Sequence, residues 1–391
     1  MKKDNIATFL LCIYCLLLPF EEAFASSIGS INRIVSIVLI IYVLIVYNKH
    51  FRIDKTYIPL VVWFFYMLIS IIWSSSFDWW LYFIQKYLFL IAFVLFVDFI
   101  PVKKINIKLV KWSMIFAGII ASLLLFFLPT ASSYSDEGRR TIILLGSTID
   151  PNILASIILL GVHLSLEFFF NKQCRLLLTI LIFGVQLLGV LYTGSRGALI
   201  AFVIGTLIEF LYRFGGERKQ RGKNFRILIL GATLLAGIVL ILPENLTEAR
   251  FSKETLLGLN ELSLGSHNRY TIWQHGLELF VKKPIFGYGC GNFFSAIETV
   301  YIQCASHNLY VLLLVEGGII GFIIFTAFIV RLLKEQISIK NFTMIGLLFT
   351  VLAMGLSLDS LIYKYFWVAV IYARFIFKDY NLLVKSEKTN V

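Results

Sequence analysis

Two arginines and one histidine stand where small polar residues meet long apolar runs. Thr193-Gly194-Ser195-Arg196-Gly197-Ala198 joins two such runs. Ser195 suits the N-cap of a helix that begins at Arg196. The unpaired N–H groups and positive dipole end of that helix attract anions, and arginine adds a fork of donors matched to phosphate oxygens. The apolar stretch that follows, read as 197–212, is short for a span, which would set the turn below the bilayer surface. The alternative is a glycine-rich turn whose arginine snorkels to headgroups. Residue types alone do not separate the two.

The second arginine lies in Ser266-His267-Asn268-Arg269-Tyr270-Thr271-Ile272-Trp273, which leads to Lys282-Lys283-Pro284. Trp273, Leu277, Phe280 and Val281 share a face at helical spacing. Ser266 fits the start, and two lysines and a proline fit the end. The segment reads as an amphipathic helix in the membrane interface with Arg269 in its first turn. The run from Pro284 to Phe293 follows with three glycines, which permit close approach to a ligand or a neighbour. The histidine lies in Ser306-His307-Asn308-Leu309-Tyr310, ahead of Glu316-Gly317-Gly318. An ionisable group at a membrane boundary is costly, and imidazole can take a hydroxyl proton near neutral pH; a helix-end hydrogen bond is the plainer use. Together the three segments fit a site for a lipid-linked phosphate donor, with a base for an incoming hydroxyl. No His/Asp/Glu/Cys cluster has metal-ligand spacing, no glycine-rich nucleotide cradle is visible, and no cofactor is expected.

The elements that position these residues are membrane helices. Of 391 residues, 59% are hydrophobic and 15% charged, with a mean hydropathy of +0.85, against roughly 45–50% and about 25% in soluble domains. The expected class is an all-α polytopic membrane protein of about 12 spans: 6–20, 28–47, 57–74, 79–100, 107–129, 149–170, 175–193, 197–212, 225–243, 306–330, 339–357 and 360–377. In hydrocarbon such runs must be helical to pair their backbone groups. Lys2-Lys3, an apolar stretch and Ala23-Phe24-Ala25 also imitate a signal peptide; a retained helix is the preferred reading.

With the N-terminus inside, 22 of the 35 Lys and Arg fall on inside segments and 10 outside, which is the positive-inside pattern. The basic segment 213–226 is therefore a topology anchor, and the net charge of +12 does not call for nucleic acid. Two outside loops are long, 130–148 and 244–305. Cys290 and Cys304 fall in the second, as a disulfide or as two free thiols, the latter preferred.

In their order along the chain, the T-G-S-R-G-A turn, the N-R-Y-T-I-W helix with K-P-I-F-G-Y-G-C-G-N-F, and the H-N-L-Y start of a helix ending E-G-G-I-I-G resemble the core of the O-antigen ligase and O-antigen/capsule polymerase superfamily. Ile69-Ser70-Ile71-Ile72-Trp73-Ser74 and Asp150-Pro151-Asn152-Ile153-Leu154-Ala155 agree. The likeness is strongest over 186–330, taken as the core of a single membrane domain. It implies a metal-independent, inverting C-type glycosyltransferase that uses an undecaprenyl-diphosphate-linked glycan at the periplasmic or exterior face of the bacterial inner membrane. Arg196 and Arg269 match the diphosphate-binding arginines and His307 the catalytic histidine, with Ser195, Asn308 and Tyr270 in support. Implied partners are that donor, a glycan or lipid-linked acceptor, and flippase and chain-length regulator proteins.

Three activities remain open on sequence. A polymerase joins lipid-linked repeats, a ligase moves finished polymer to lipid A-core or another acceptor, and a transporter moves a lipid-linked sugar. Polymerase is preferred, because nothing specific to lipid A-core is visible. The transporter has Lys86 as its clearest mid-span charge and no repeated halves to support it.

Overall fold

The computed structural model describes residues 4–27, 29–128, 139–171, 174–214 and 269–389. The span at 225–243, residues 215–226 of the basic segment, residues 130–138 and 244–268 of the two long loops, and the Ser266 cap lie outside the described residues.

In chain order the elements are α1 (Asn5–Leu17), α2 (Glu21–Ser27), α3 (Ile31–Val46), α4 (Ile58–Ile69), α5 (Phe77–Phe99), α6 (Ile107–Phe127), a short antiparallel pair β1 (Ile143–Leu144) and β2 (Ser147–Thr148), α7 (Pro151–Phe170), α8 (Leu176–Tyr192), α9 (Arg196–Phe214), α10 (Arg269–Lys282), α11 (Phe293–Ile297), α12 (Leu309–Ser338), α13 (Phe342–Met354) and α14 (Lys364–Thr389). Side-chain caps begin many of the helices. Asp4 accepts from Ala7 N at 3.0 Å, Ser76 from Trp79 N at 3.4 Å and Asn106 from Leu109 N at 3.2 Å. Asp150 caps α7, and Pro151 fills its first position, where no N–H is needed.

Seven of the expected spans fall on stretches long and apolar enough to cross a bilayer: Asn5–Ala25, Lys55–Ile72, Phe77–Phe99, Ile107–Phe127, Pro151–Phe170, Arg196–Phe214 and Leu309–Ser338. Three more fall on shorter apolar helices, α3, α8 and α13. The expected last span falls on α14, which carries Lys364, Arg374, Lys378 and Asp379. The protein is a helical, multi-pass membrane protein. One expectation changes: α9 is 19 residues long, so its length no longer requires the Arg196 turn to dip into the bilayer.

The chain divides into two compact units. The first comprises Met1–Leu39, Val102–Gly258 and Gln336–Ala353. At its centre α7 is apolar on every side and buried along most of its length, as an all-round hydrophobic helix must be. Its ionisable groups are matched by neighbours, Lys111 with Glu167 at 2.8 Å and His163 with Thr350 at 2.8 Å.

The second unit comprises Ile40–Pro101, Leu259–Glu335 and Met354–Val391. At one end of it the buried Arg374 meets Asp54 at 2.9 Å and Asp98 at 3.5 Å and pairs with Glu335. Elsewhere in the unit α12 is broken at Gly318, which sits at φ 59° and ψ −167°. The break frees backbone groups, and the glycine-rich run pairs with them: Tyr288 N with Val315 O at 2.8 Å, Gly289 N with Glu316 O at 2.9 Å, and Ile319 N with Pro284 O at 2.8 Å. The approach is too close for side chains. A Cβ on Gly318 would come within 2.2 Å of Ile285 O, and one on Gly287 within 2.5 Å of Glu316 O. Of the two uses expected for these glycines, the described residues show the contact with a neighbouring segment.

Candidate functional site

In the first unit the Arg196 turn rests on a buried polar cluster. Gly194 takes φ 61° between α8 and α9. The Ser195 hydroxyl accepts from Ala198 N at 3.3 Å, which is the expected N-cap, and donates to Asn152 Oδ1 at 2.8 Å. Asn152 Oδ1 also accepts from Arg139 Nη2 at 3.1 Å, and Arg139 Nε donates to Thr193 O at 3.2 Å. Arg139 is only 8% exposed. Arg140 donates to the carbonyls of Leu125 and Phe126, both at 3.3 Å, and its guanidinium lies 4.9 Å from the Tyr192 ring centre. The half-buried Arg196 thus opens α9 at a turn whose preceding residues, Tyr192 and Thr193, are held by two further arginines, Arg139 and Arg140. Sequence reading placed that pair only in an outside loop. The doublet immediately ahead of an apolar run, and the asparagine of D-P-N, were the available signals.

In the second unit Arg269 is the first residue of α10. The helix buries Ile272, Gly276 and Leu279, and Ile272 and Leu279 join a core with Phe293, Val311, Leu312 and Val315. The expected apolar face therefore splits. Trp273 and Phe280 pack against that core, whereas Leu277 and Val281 are exposed. Protein, not the membrane interface alone, takes one side of the helix. Tyr270 is 61% exposed. One turn beyond Arg269, Trp273 Nε1 donates to Ser306 O at 3.1 Å, which ties the start of α10 to the carbonyl just ahead of His307.

His307 itself has φ 48°, a left-handed conformation uncommon for a residue with a Cβ. Its neighbours hold it there. Asn308 caps α12, its Oδ1 accepting from Tyr310 N at 2.9 Å and Val311 N at 3.1 Å. Asn308 N donates to Asp359 Oδ1 at 3.1 Å, the Ser306 hydroxyl bonds the same oxygen, and the His307 N–H also bonds that carboxyl. Asp359 is buried, and burial raises its carboxyl above the ordinary carboxylate range. The Ser306 bond, the neighbouring His307 charge and the backbone N–H groups pull in the opposite direction. Asp359 and Ser306 were not singled out for this role from sequence, because 52 positions separate the carboxylate from the histidine it faces.

Of the expected residues, Arg269, Tyr270, His307 and Asn308 lie in the second unit, and Ser195 and Arg196 in the first. The two cysteines are free. Cys290 is buried, its N–H on Ser70 Oγ at 2.9 Å, and burial raises its thiol well above the usual range. Asn292 accepts from Ser76 N at 2.7 Å and from the Ser75 hydroxyl at 2.9 Å, so the I-S-I-I-W-S segment and the residues just beyond it serve as the seat of the glycine-rich run.

A sequence model of the O-antigen ligase family matches residues 177–326, which contain Arg196, Arg269 and His307. The chain is also 28% identical over 334 residues to the "ComP-specific O-oligosaccharyltransferase" of Acinetobacter baylyi (strain ATCC 33305 / BD413 / ADP1). That match covers 78% of this chain and 58% of the relative's length. Over residues 177–326, from α8 into α12, this chain is similar to the O-antigen ligase family.

Proposed function

We propose that the chain is a ligase-type membrane glycosyltransferase. It moves an oligosaccharide from an undecaprenyl-diphosphate carrier to an acceptor hydroxyl, at the extracytoplasmic face of the bacterial inner membrane. The observation that carries this reading is His307, a titratable side chain kept in a left-handed turn and facing a buried carboxylate. The acceptor oxygen attacks the anomeric carbon while its proton passes to the His307 imidazole. The bond from that carbon to the diphosphate oxygen breaks, and the configuration inverts. Asp359 steadies the imidazolium that forms and acts as a positioning residue. Charge developing on the departing diphosphate is met by Arg196 and Arg269, each at a helix N-terminus. A positioned base of this kind contributes about 10²–10⁴ in rate. The family description and the relative's name speak for a ligase acting on a hydroxyl acceptor, over the polymerase preferred on sequence.

The test uses protein purified into vesicles with a synthetic undecaprenyl-diphosphate oligosaccharide. Release of undecaprenyl diphosphate together with an acceptor-linked oligosaccharide supports the reading. Joining of two lipid-linked repeats without any other acceptor would replace ligase by polymerase, and an active His307→Ala protein would remove the base.

A further inference from the structure

A groove lies within the first unit, over the seam between α1 and α6, well away in sequence from the turns described above. Its volume is about 920 Å³. Phe9, Ile13 and Leu16 of α1 and Trp112 and Phe116 of α6 form its apolar walls, and Val38 closes one side. The floor is made of small residues, Thr8, Cys12 and Ser113, all buried. Small side chains where two helices meet leave a hollow that larger ones would fill.

The groove has a polar end and an apolar end. Asn5, Thr8 and Asn106 lie at one end, and Leu16 and Phe116 at the other. From Asn5 to Leu16 the helix rises roughly 16 Å at about 1.5 Å per residue. That matches one leaflet, half of a hydrocarbon core about 30 Å thick. The polar end adjoins the turn that carries Lys103 and Lys104, and Lys108 follows one residue into α6. Asp4 N donates to Lys104 O at 2.8 Å, and Asn106 N to Thr8 Oγ1 at 3.2 Å. Those bonds fix the basic turn against the start of α1, at the groove's mouth. Asp4, an acidic side chain at that end, is turned into the helix as the cap of Ala7 N.

We propose that this groove is a binding site for an anionic phospholipid of the adjoining leaflet, with an acyl chain along the α1–α6 seam and its phosphate at Lys103, Lys104 and Lys108. The apolar slot has the length of one leaflet, and the cationic turn is tied to one end of it. An apolar groove alone would accept any lipid; the lysines select the negative headgroup, each contributing about 1 kcal/mol near an anionic surface. The site is independent of the transfer reaction proposed above.

The test uses the full-length protein in detergent, relipidated with vesicles of phosphatidylglycerol or of phosphatidylcholine, with retained lipid counted by native mass spectrometry. The expected result is preferential retention of phosphatidylglycerol. Each Lys→Gln change at 103, 104 or 108 should lower that preference about fivefold, with neutral lipid unaffected. Ile13→Trp, at a half-buried wall position, should displace both lipids. A phosphatidylglycerol carrying a photoreactive acyl chain should label α1 and α6 in the unsubstituted protein, which keeps the test free of any folding defect in a variant. Equal retention of the two lipids, an unchanged preference in the triple Lys→Gln protein, or crosslinks from the groove to residues 225–243 or to a second copy of the chain would overturn the proposal.

Discussion

In the Arg196 turn the left-handed backbone position belongs to Gly194, at φ 61°, whereas in the His307 turn it belongs to His307 itself, at φ 48°. The two turns are otherwise built alike. Each opens a long apolar helix, each is capped by its own small polar residue, Ser195 or Asn308, and each leans on a buried polar group from elsewhere in its own unit. The charges differ. Asn152 and Arg139 back the first turn, and the Asp359 carboxylate backs the second. An L-residue in the left-handed region costs roughly 1–2 kcal/mol, which glycine avoids. Strain kept on a titratable side chain, and secured by three bonds from Ser306, Asn308 and Asp359, points to a use for the imidazole that packing does not supply. One turn is suited to an anion and the other to a proton.

The largest expected effect follows from that contrast. His307→Gly removes the imidazole and the strain together, so transfer should fall by about 10²–10⁴ while the thermal unfolding midpoint stays level or rises. His307→Ala should lose the same activity and also some stability, because alanine is poor at positive φ. Comparing the two variants by turnover and by calorimetry separates function from backbone geometry. A His307→Gly protein with parental turnover would mean that the turn is only structural.

Next come the arginines. A hydrogen bond to a charged group is worth roughly 1.5–3 kcal/mol, so Arg196→Ala and Arg269→Ala should each raise the donor KM about 10- to 100-fold. Arg→Lys should recover part of the loss, since a point charge replaces a fork. If instead kcat alone falls at both positions, the arginines act on the leaving charge without holding the donor in the ground state.

How legible all this was depended on sequence distance. Helix starts were readable wherever cap and helix are neighbours. Ser195 at α9 and Lys282-Lys283-Pro284 at the end of α10 follow from local backbone rules. The partners that give each turn its charge were not readable. Asn152 is 43 positions from Ser195 and Asp359 is 51 from Asn308, and an apolar pattern does not say which helices meet. The face of α10 splits for the same reason. Leu277 and Val281 satisfy the periodicity as well as Ile272 and Leu279 do, and only the presence of Phe293 and Val311 decides which pair is buried. The free Cys290 fits its burial against Ser70, a contact across 220 positions that no local motif reports.

A smaller effect is expected at Asn152. Asn152→Ala deprives both Ser195 and Arg139 of an acceptor, and a buried donor left unpaired costs about 1–3 kcal/mol. The unfolding midpoint should fall accordingly, and the donor KM should rise less than it does for Arg196→Ala, because Arg196 keeps its charge and loses only its seating. An unchanged KM beside a lowered midpoint would confine the Asn152 cluster to stability.

The smallest effect concerns pH and separates the two turns most cleanly. Burial holds the Asp359 carboxyl above its ordinary range in the folded protein. A carboxyl whose folded pKa is raised binds its proton more tightly folded than unfolded. Its contribution to stability is therefore fully present below the unfolded value of about 3.9, declines as pH climbs through the interval up to the folded value, and is level beyond it. Asp359→Asn is close in shape and does not titrate, so the variant should lack this decline. The difference in unfolding midpoint between variant and parent should shift in the variant's favour as pH rises above about 4. The hydrogen bonds that the new amide makes less well add an offset that is the same at every pH, so the slope and not the intercept is the readout. Asn152→Ala should show no such slope, because neither asparagine nor the Arg139 guanidinium titrates in that interval. Parallel pH profiles for Asp359→Asn and the parent would place Asp359 among carboxylates that titrate alike folded and unfolded, and the electrostatic contrast between the two turns would then rest on Arg139 alone.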